Sequence, residues 1–208
     1  MKKLLSFILI LCMLCFAGCS KDKNDTPVSD GKEVETVVQS GKFEDAGHGL
    51  GAEYETVKTH YKKVYDDYMA LHSGENAGEG HEDESHNHAD GGHGEQFPYY
   101  SHEAKDEYIE IDIIDFRFYF DADNTDKGMV AIATDSDVFG LITGLATKQE
   151  VEAKVGKEGN TLNATEADLV FLAYPEEDML VLRYEYEDSV LDFFFYENAL
   201  VTSVIKAK

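Results

Sequence analysis

His81, His86, His88 and His93 follow one another at spacings of 5, 2 and 5, with Glu82, Asp83, Glu84, Asp90 and Glu95 set among them. Neutral imidazoles ligate Zn²⁺, Cu²⁺ or Ni²⁺, and neighbouring carboxylates gather cations and accept hydrogen bonds from ligating rings. The surrounding stretch, 73–95, holds six Gly and seven acids, with only Ala77 and Ala89 as apolar residues. It has nothing to bury and reads as a flexible loop, whose glycines let several ligands turn towards one ion. The plain alternative is a solvated acidic linker in which the histidines are incidental. Ordering such a loop opposes affinity, so the expected ligation is weak, and it is pH-dependent because imidazolium cannot ligate. His72 and His102 lie just outside the loop ends, within reach as further ligands, whereas His48 and His60 read as surface residues.

Other candidate chemistry is thinner. Asp121-Ala122-Asp123-Asn124-Thr125-Asp126-Lys127-Gly128 has the carboxylate density of a calcium loop but lacks Gly at its sixth position and an acid at its twelfth, Ile132, so it reads as a polar turn. Gly47-His48-Gly49-Leu50-Gly51 is not the dinucleotide fingerprint and follows no strand. No GxSxG occurs, and Glu176-Glu177-Asp178 beside Pro175 is most simply solubilising. No residue set nominates catalysis, and the chain reads as a binding protein rather than an enzyme. Its 208 residues carry a formal charge of −24, which excludes nucleic-acid binding through a basic surface.

The start of the chain speaks to compartment. Lys2-Lys3 precede an apolar run from Leu4 to Phe16, then Ala17-Gly18-Cys19, and the sequence turns polar at Ser20. This is the order of a secretory signal peptide, 1–18, with an apolar run shorter than a bilayer span. An uncleaved anchor is the alternative. Cys15-Phe16-Ala17-Gly18-Cys19 resembles the lipobox of bacterial lipoproteins, with Phe16 where Leu is usual. The resemblance implies a covalent lipid on Cys19 and a place on the extracytoplasmic side of the cell membrane or the outer membrane. Loss of 1–18 removes Cys12, Cys15, two lysines and no acid, so the mature charge is −26 and no free thiol or disulfide remains. The histidine-rich stretch resembles the loops of zinc-uptake lipoproteins, although nothing else in the chain matches those two-lobed proteins.

The elements that would position this chemistry follow from periodicity. Residues 19–46 read as a lipidated tether with a short ordered piece around Val34 to Val38. Tyr54, Val57, Tyr61, Val64, Tyr68 and Leu71 recur at spacings of 3 and 4, which predicts an amphipathic helix over 52–72 with this stripe as core. Tyr108 to Phe120 reads as strand with a bulge or bend at Ile113-Ile114, and Met129 to Thr134 as a further strand. Thr147 and Glu150 have the spacing of a capping box for a short helix ending at Gly156. Strands are expected near 168–174, 179–186, 190–196 and 199–205, with Glu197-Asn198 as a tight turn.

The fold class is therefore α+β, helix packed on antiparallel sheet. A first unit spans 47–137, including the 73–95 loop, and a second spans 138–208. The two read as tandem copies, because Gly49-Leu50 and Gly144-Leu145 each precede a helix and 113–119 lines up with 190–196; the alternative is chance similarity between aromatic strands. The run from Gly140 to Lys157, GLITGLATKQEVEAKVGK, before repeated strands resembles the small modules of BamE-type assembly lipoproteins and of beta-lactamase-inhibitor-like proteins. That resemblance implies a fold and a protein-binding habit, with no catalytic residues to transfer. Two functional expectations result. One is capture of a divalent transition metal such as Zn²⁺ through the loop; the other is docking of an envelope protein partner on a sheet face through Phe194 and Tyr196, expected to be exposed opposite Phe193 and Phe195.

Overall fold

The computed structural model describes residues 31–72, 99–105 and 107–208. In chain order the elements are α1 (Lys32–Gln39), α2 (Tyr54–His72), β1 (Tyr100–Lys105), β2 (Tyr108–Ile113), β3 (Arg117–Asp121) and β4 (Met129–Thr134). They continue with α3 (Lys148–Val155), β5 (Asn160–Asn163), α4 (Glu166–Leu169), β6 (Leu180–Glu185), β7 (Ser189–Tyr196) and β8 (Ala199–Ala207). The strands form one antiparallel sheet in the order β1-β2-β3-β4-β8-β7-β6-β5, so both halves of the chain meet at the β4–β8 pair. The architecture is α+β, with the sheet dominant.

Alternation along the strands sends side chains to two cores. On the first face Ile111, Phe118, Phe120, Ile132, Leu191, Phe193 and Ile205 are buried beneath Val34 and Val38 of α1, Val57 of α2, and Val151 and Val155 of α3. On the second face Tyr119, Ala131, Ala133, Val181, Phe194 and Val204 are covered by Phe171, Leu172 and Met179 from the segment that contains α4.

Several local expectations hold. Thr147 and Glu150 make the reciprocal capping box, with the Thr147 N–H donating to Glu150 Oε2 at 2.8 Å, and Gly156 ends α3 in the left-handed region. Glu197 and Asn198 have φ of 48° and 69°, the pair of positive values that a two-residue hairpin turn requires.

Others are corrected. Residues 31–46 belong to the folded body: Val34 and Val38 are fully buried, Ser189 Oγ donates to the Val38 carbonyl at 3.2 Å, and Lys154 pairs with Glu33 at 2.7 Å. Gly31 makes this approach feasible, because at φ 70° a Cβ would lie 2.1 Å from the Val155 carbonyl oxygen. The core stripe of α2 stops early. Val57 is buried and Tyr54 and Tyr61 are half-buried, but Val64 and Leu71 are 48% and 77% exposed, since the helix outruns the surface it packs on. The irregularity at Ile113-Ile114 is a full reversal closed by Ile113 N–H to the Phe116 carbonyl, and it separates β2 from β3. The match of 113–119 with 190–196 is therefore only partial, because residues 113–116 cross a turn before β3 whereas 190–196 lies within β7. Near 168–174 there is no strand. Thr165 N–H and Oγ1 both donate to Asp168 Oδ2, which starts the helical turn α4 and delivers Phe171 and Leu172 onto the sheet.

Candidate functional site

Cys19 and the histidines 81, 86, 88 and 93 lie outside the described residues. What the structure places is the frame that carries the 73–95 stretch. Its N-terminal flank is the end of α2 at His72, and its C-terminal flank leads into β1. His102 of β1 is engaged by the body: its Nε2 lies 2.5 Å from the Tyr54 hydroxyl, and the Tyr54 ring packs edge-on against Phe120. The 121–128 turn satisfies its own carboxylate. Asp121 Oδ1 accepts from the Asp123 and Asn124 N–H groups, and Lys127 supplies the cation to Oδ2 at 2.5 Å, which holds the Asp121 carboxyl below its usual range.

Phe194 and Tyr196 separate. Phe194 is fully buried, so its expected exposure is corrected: the segment 166–179 crosses the second face and makes β7 a strand buried on both sides. Tyr196, at the strand end, is 37% exposed and stands with the freely exposed Tyr174 around a cleft of about 250 Å³. Asp135, Met179, Val201 and Thr202 contribute to its lining. Asp135 is held there by both terminal guanidinium nitrogens of Arg117, at 2.5 and 2.9 Å, and by the Thr202 hydroxyl at 2.6 Å. The cleft offers two aromatic walls around a fixed carboxylate, a shape suited to the apolar or cationic side chain of a partner.

Beside it, an ionic network ties the second face. Asp192, with no exposed surface, accepts from Arg183 Nε and a terminal nitrogen at 2.8 Å each and from Lys206 at 2.6 Å. Asp168 receives Arg183 at 2.7 Å. Burial alone would raise the Asp168 carboxyl, but bonds from Thr165 and Arg183 and the nearby Lys206 outweigh it and hold the group at about 2, against 3.8 ordinarily. A depressed acid of this kind adds stability that is complete above the ordinary value and is lost as pH falls through about 2. One edge of the same face carries strain of the opposite sign: burial, opposed by Arg117, pushes the Asp112 carboxyl up to about 6.

One arrangement has no counterpart in the sequence expectations. His48, from the glycine-rich loop before α2, and His60, on α2, have ring centroids 5.1 Å apart at 75°. No spacing rule links a loop to a helix turn twelve residues on, and the Gly on either side of His48 is the only sequence sign of a sharply folded loop. Among the described residues, no group of three or more His, Cys, Asp or Glu converges in a metal-ligating arrangement, and no helix is long and apolar enough to cross a membrane. No protein family, curated protein or solved structure matches the chain.

Proposed function

We propose that the protein is a non-catalytic binding module, anchored by lipid on Cys19 at the extracytoplasmic side of a cell membrane, that captures divalent transition metal of the Zn²⁺ kind through 73–95. The observation that carries the reading is chemical: four imidazoles and seven carboxylates occupy a connection of 23 residues. Carboxylates raise the local cation concentration, and neutral imidazoles then ligate. The placement of its root supports this, because α2 continues past its packed half to His72, with Leu71 open to solvent, and so carries the start of the connection clear of the core. Calorimetry of the untagged full chain with Zn²⁺ tests it. Replacing His81, His86, His88 and His93 together with Ala removes most of the binding heat, and lowering the pH to about 5 does the same to the unaltered chain by protonating imidazole. Heats unchanged by the fourfold replacement would sink the proposal.

A second reading is favoured by one observation, the exposed Tyr174 and Tyr196 around the Asp135 cleft. In it the body is a protein-docking module of the envelope. The strand order supports a finer view of the fold as two four-stranded units in tandem, β1 to β4 and β5 to β8, joined through their last strands. This layout agrees with the resemblance to BamE-type and beta-lactamase-inhibitor-like modules. Cross-linking in membranes separates the readings. A partner that persists when 73–95 is deleted and disappears with Tyr174→Ala and Tyr196→Ala supports docking through the cleft, and one lost with the stretch alone counts against it.

A further inference from the structure

We propose that His48 and His60 form a second, open transition-metal site on the folded body, with two imidazoles as the protein ligands. The proposal stands on geometry independent of the 73–95 stretch. A ring nitrogen bound to Zn²⁺ at about 2.0–2.1 Å puts each imidazole centroid about 3.2 Å from the ion, and two such rings at a tetrahedral angle have centroids about 5.2 Å apart. The observed separation is 5.1 Å, with the rings steeply inclined. Edge-to-face contact between two rings spans about 4.5–7 Å, and Tyr61 completes such a cluster, 5.6 Å from His48 and 4.8 Å from His60; within that range the His48–His60 spacing is one that also admits shared ligation.

The pair is held by a rigid support. The Tyr61 hydroxyl donates to the Ala46 carbonyl at 2.6 Å, and the His48 N–H donates to the same carbonyl, also at 2.6 Å. This clamps the loop to α2 one residue from His60. Gly47 permits the clamp, since at φ 68° a Cβ would stand 2.9 Å from the Tyr61 hydroxyl oxygen. The Tyr61 ring is stacked on the buried Phe118 at 5.1 Å and 17°, so the support reaches the core of the sheet. Preorganised ligands of this kind bind without the ordering cost that a free loop pays. Burial, followed by the neighbouring His60 and Lys42, lowers the basicity of His48, which favours the neutral ring that ligation needs. Two protein ligands leave coordination positions for water or for a donor from another molecule, as in an exchange site rather than a closed structural one. The Lys42 ammonium near His48 opposes an incoming ion.

The test uses the untagged full chain in which His81, His86, His88 and His93 are all Ala, so that only the body is read. Zn²⁺ calorimetry is expected to show one residual site per chain, weakened at least about tenfold by His48→Ala or by His60→Gln. Lys42→Gln is expected to tighten it several-fold. The ring resonances of His48 and His60 report the same event without further substitution, and both move together on Zn²⁺ addition. Absence of a residual site, residual binding indifferent to His48 and His60, or ring resonances that stay in place would each overturn the proposal. The reading of 73–95 fails separately, by equal heats from the unaltered and fourfold-substituted chains.

Discussion

Asp192→Ala lowers the stability of the protein by about 3–5 kcal/mol, the cost of breaking a buried ion pair by removing one partner. For a chain of this size, that shifts the thermal midpoint down by roughly 10 °C. The size follows from what the carboxylate touches. Asp192 has no exposed surface and sits on β7, one strand from the centre of the sheet, where it takes both forks of Arg183 and the Lys206 ammonium. Its loss leaves two cations sharing Asp168, whose Oδ1 is 2.7 Å from Arg183 and 3.5 Å from Lys206. Asp168 also spends its other oxygen on Thr165, so it cannot replace the bidentate pair. Urea denaturation is the measurement. Replacing Asp192, Arg183 and Lys206 together with Leu, Met and Met, with Asp168→Asn in the same chain, restores most of the loss, because no charge is then stranded. A deficit below about 1 kcal/mol in the single variant would show that water already screens the network.

Phe118→Ala costs about 3–5 kcal/mol by the ordinary accounting of a lost buried aromatic. Its effect also travels. Phe118 is stacked on Tyr61 and on Phe116, and Tyr61 is the residue that clamps the loop carrying His48. With the ring removed, Tyr61 loses its stacking partner, and the clamp opens at a lower free energy than the sheet does. Amide hydrogen exchange at His48 and Leu50, whose N–H groups bond to Ala46 and Gly41 carbonyls, is expected to accelerate more than exchange in β7 and β8. Equal acceleration throughout would show that the loop has no opening of its own.

How much of this was legible depends on whether a residue's partners are near it in the chain. The Thr147–Glu150 box, the Gly156 stop and the Glu197-Asn198 turn are local devices, and each appears where the sequence places it. Helix α1 reads mostly as tether because Val34, Val37 and Val38 are a short apolar group in a polar stretch, and what buries Val34 and Val38 lies more than 100 residues on, at α3 and β7. The outer strands β1 and β5 carry few apolar residues because edges need none, so YSHEAK and NTLN gave no alternation to read. The burial of Phe194 escapes the sequence for a related reason. Period two says which residues share a face, but not that residues 166–179 fold back to cover the second one. In the candidate sites the chemistry of the 73–95 stretch is plain from residue types alone, whereas the meeting of His48 with His60 depends on a clamp between Ala46 and Tyr61 that no spacing encodes.

The strand order carries a kinetic consequence. β8 is the last strand in the chain, yet it lies at the middle of the sheet, between β4 and β7. Until it arrives, Met129 to Thr134 of β4 is a bare apolar edge, and the β5-to-β7 meander has nothing to join. Pairing across some seventy residues closes late and slowly compared with hairpins. The two halves of the sheet therefore stay unjoined until β8 pairs with both β4 and β7. The interval before closure is when β4 is most prone to pair with another copy.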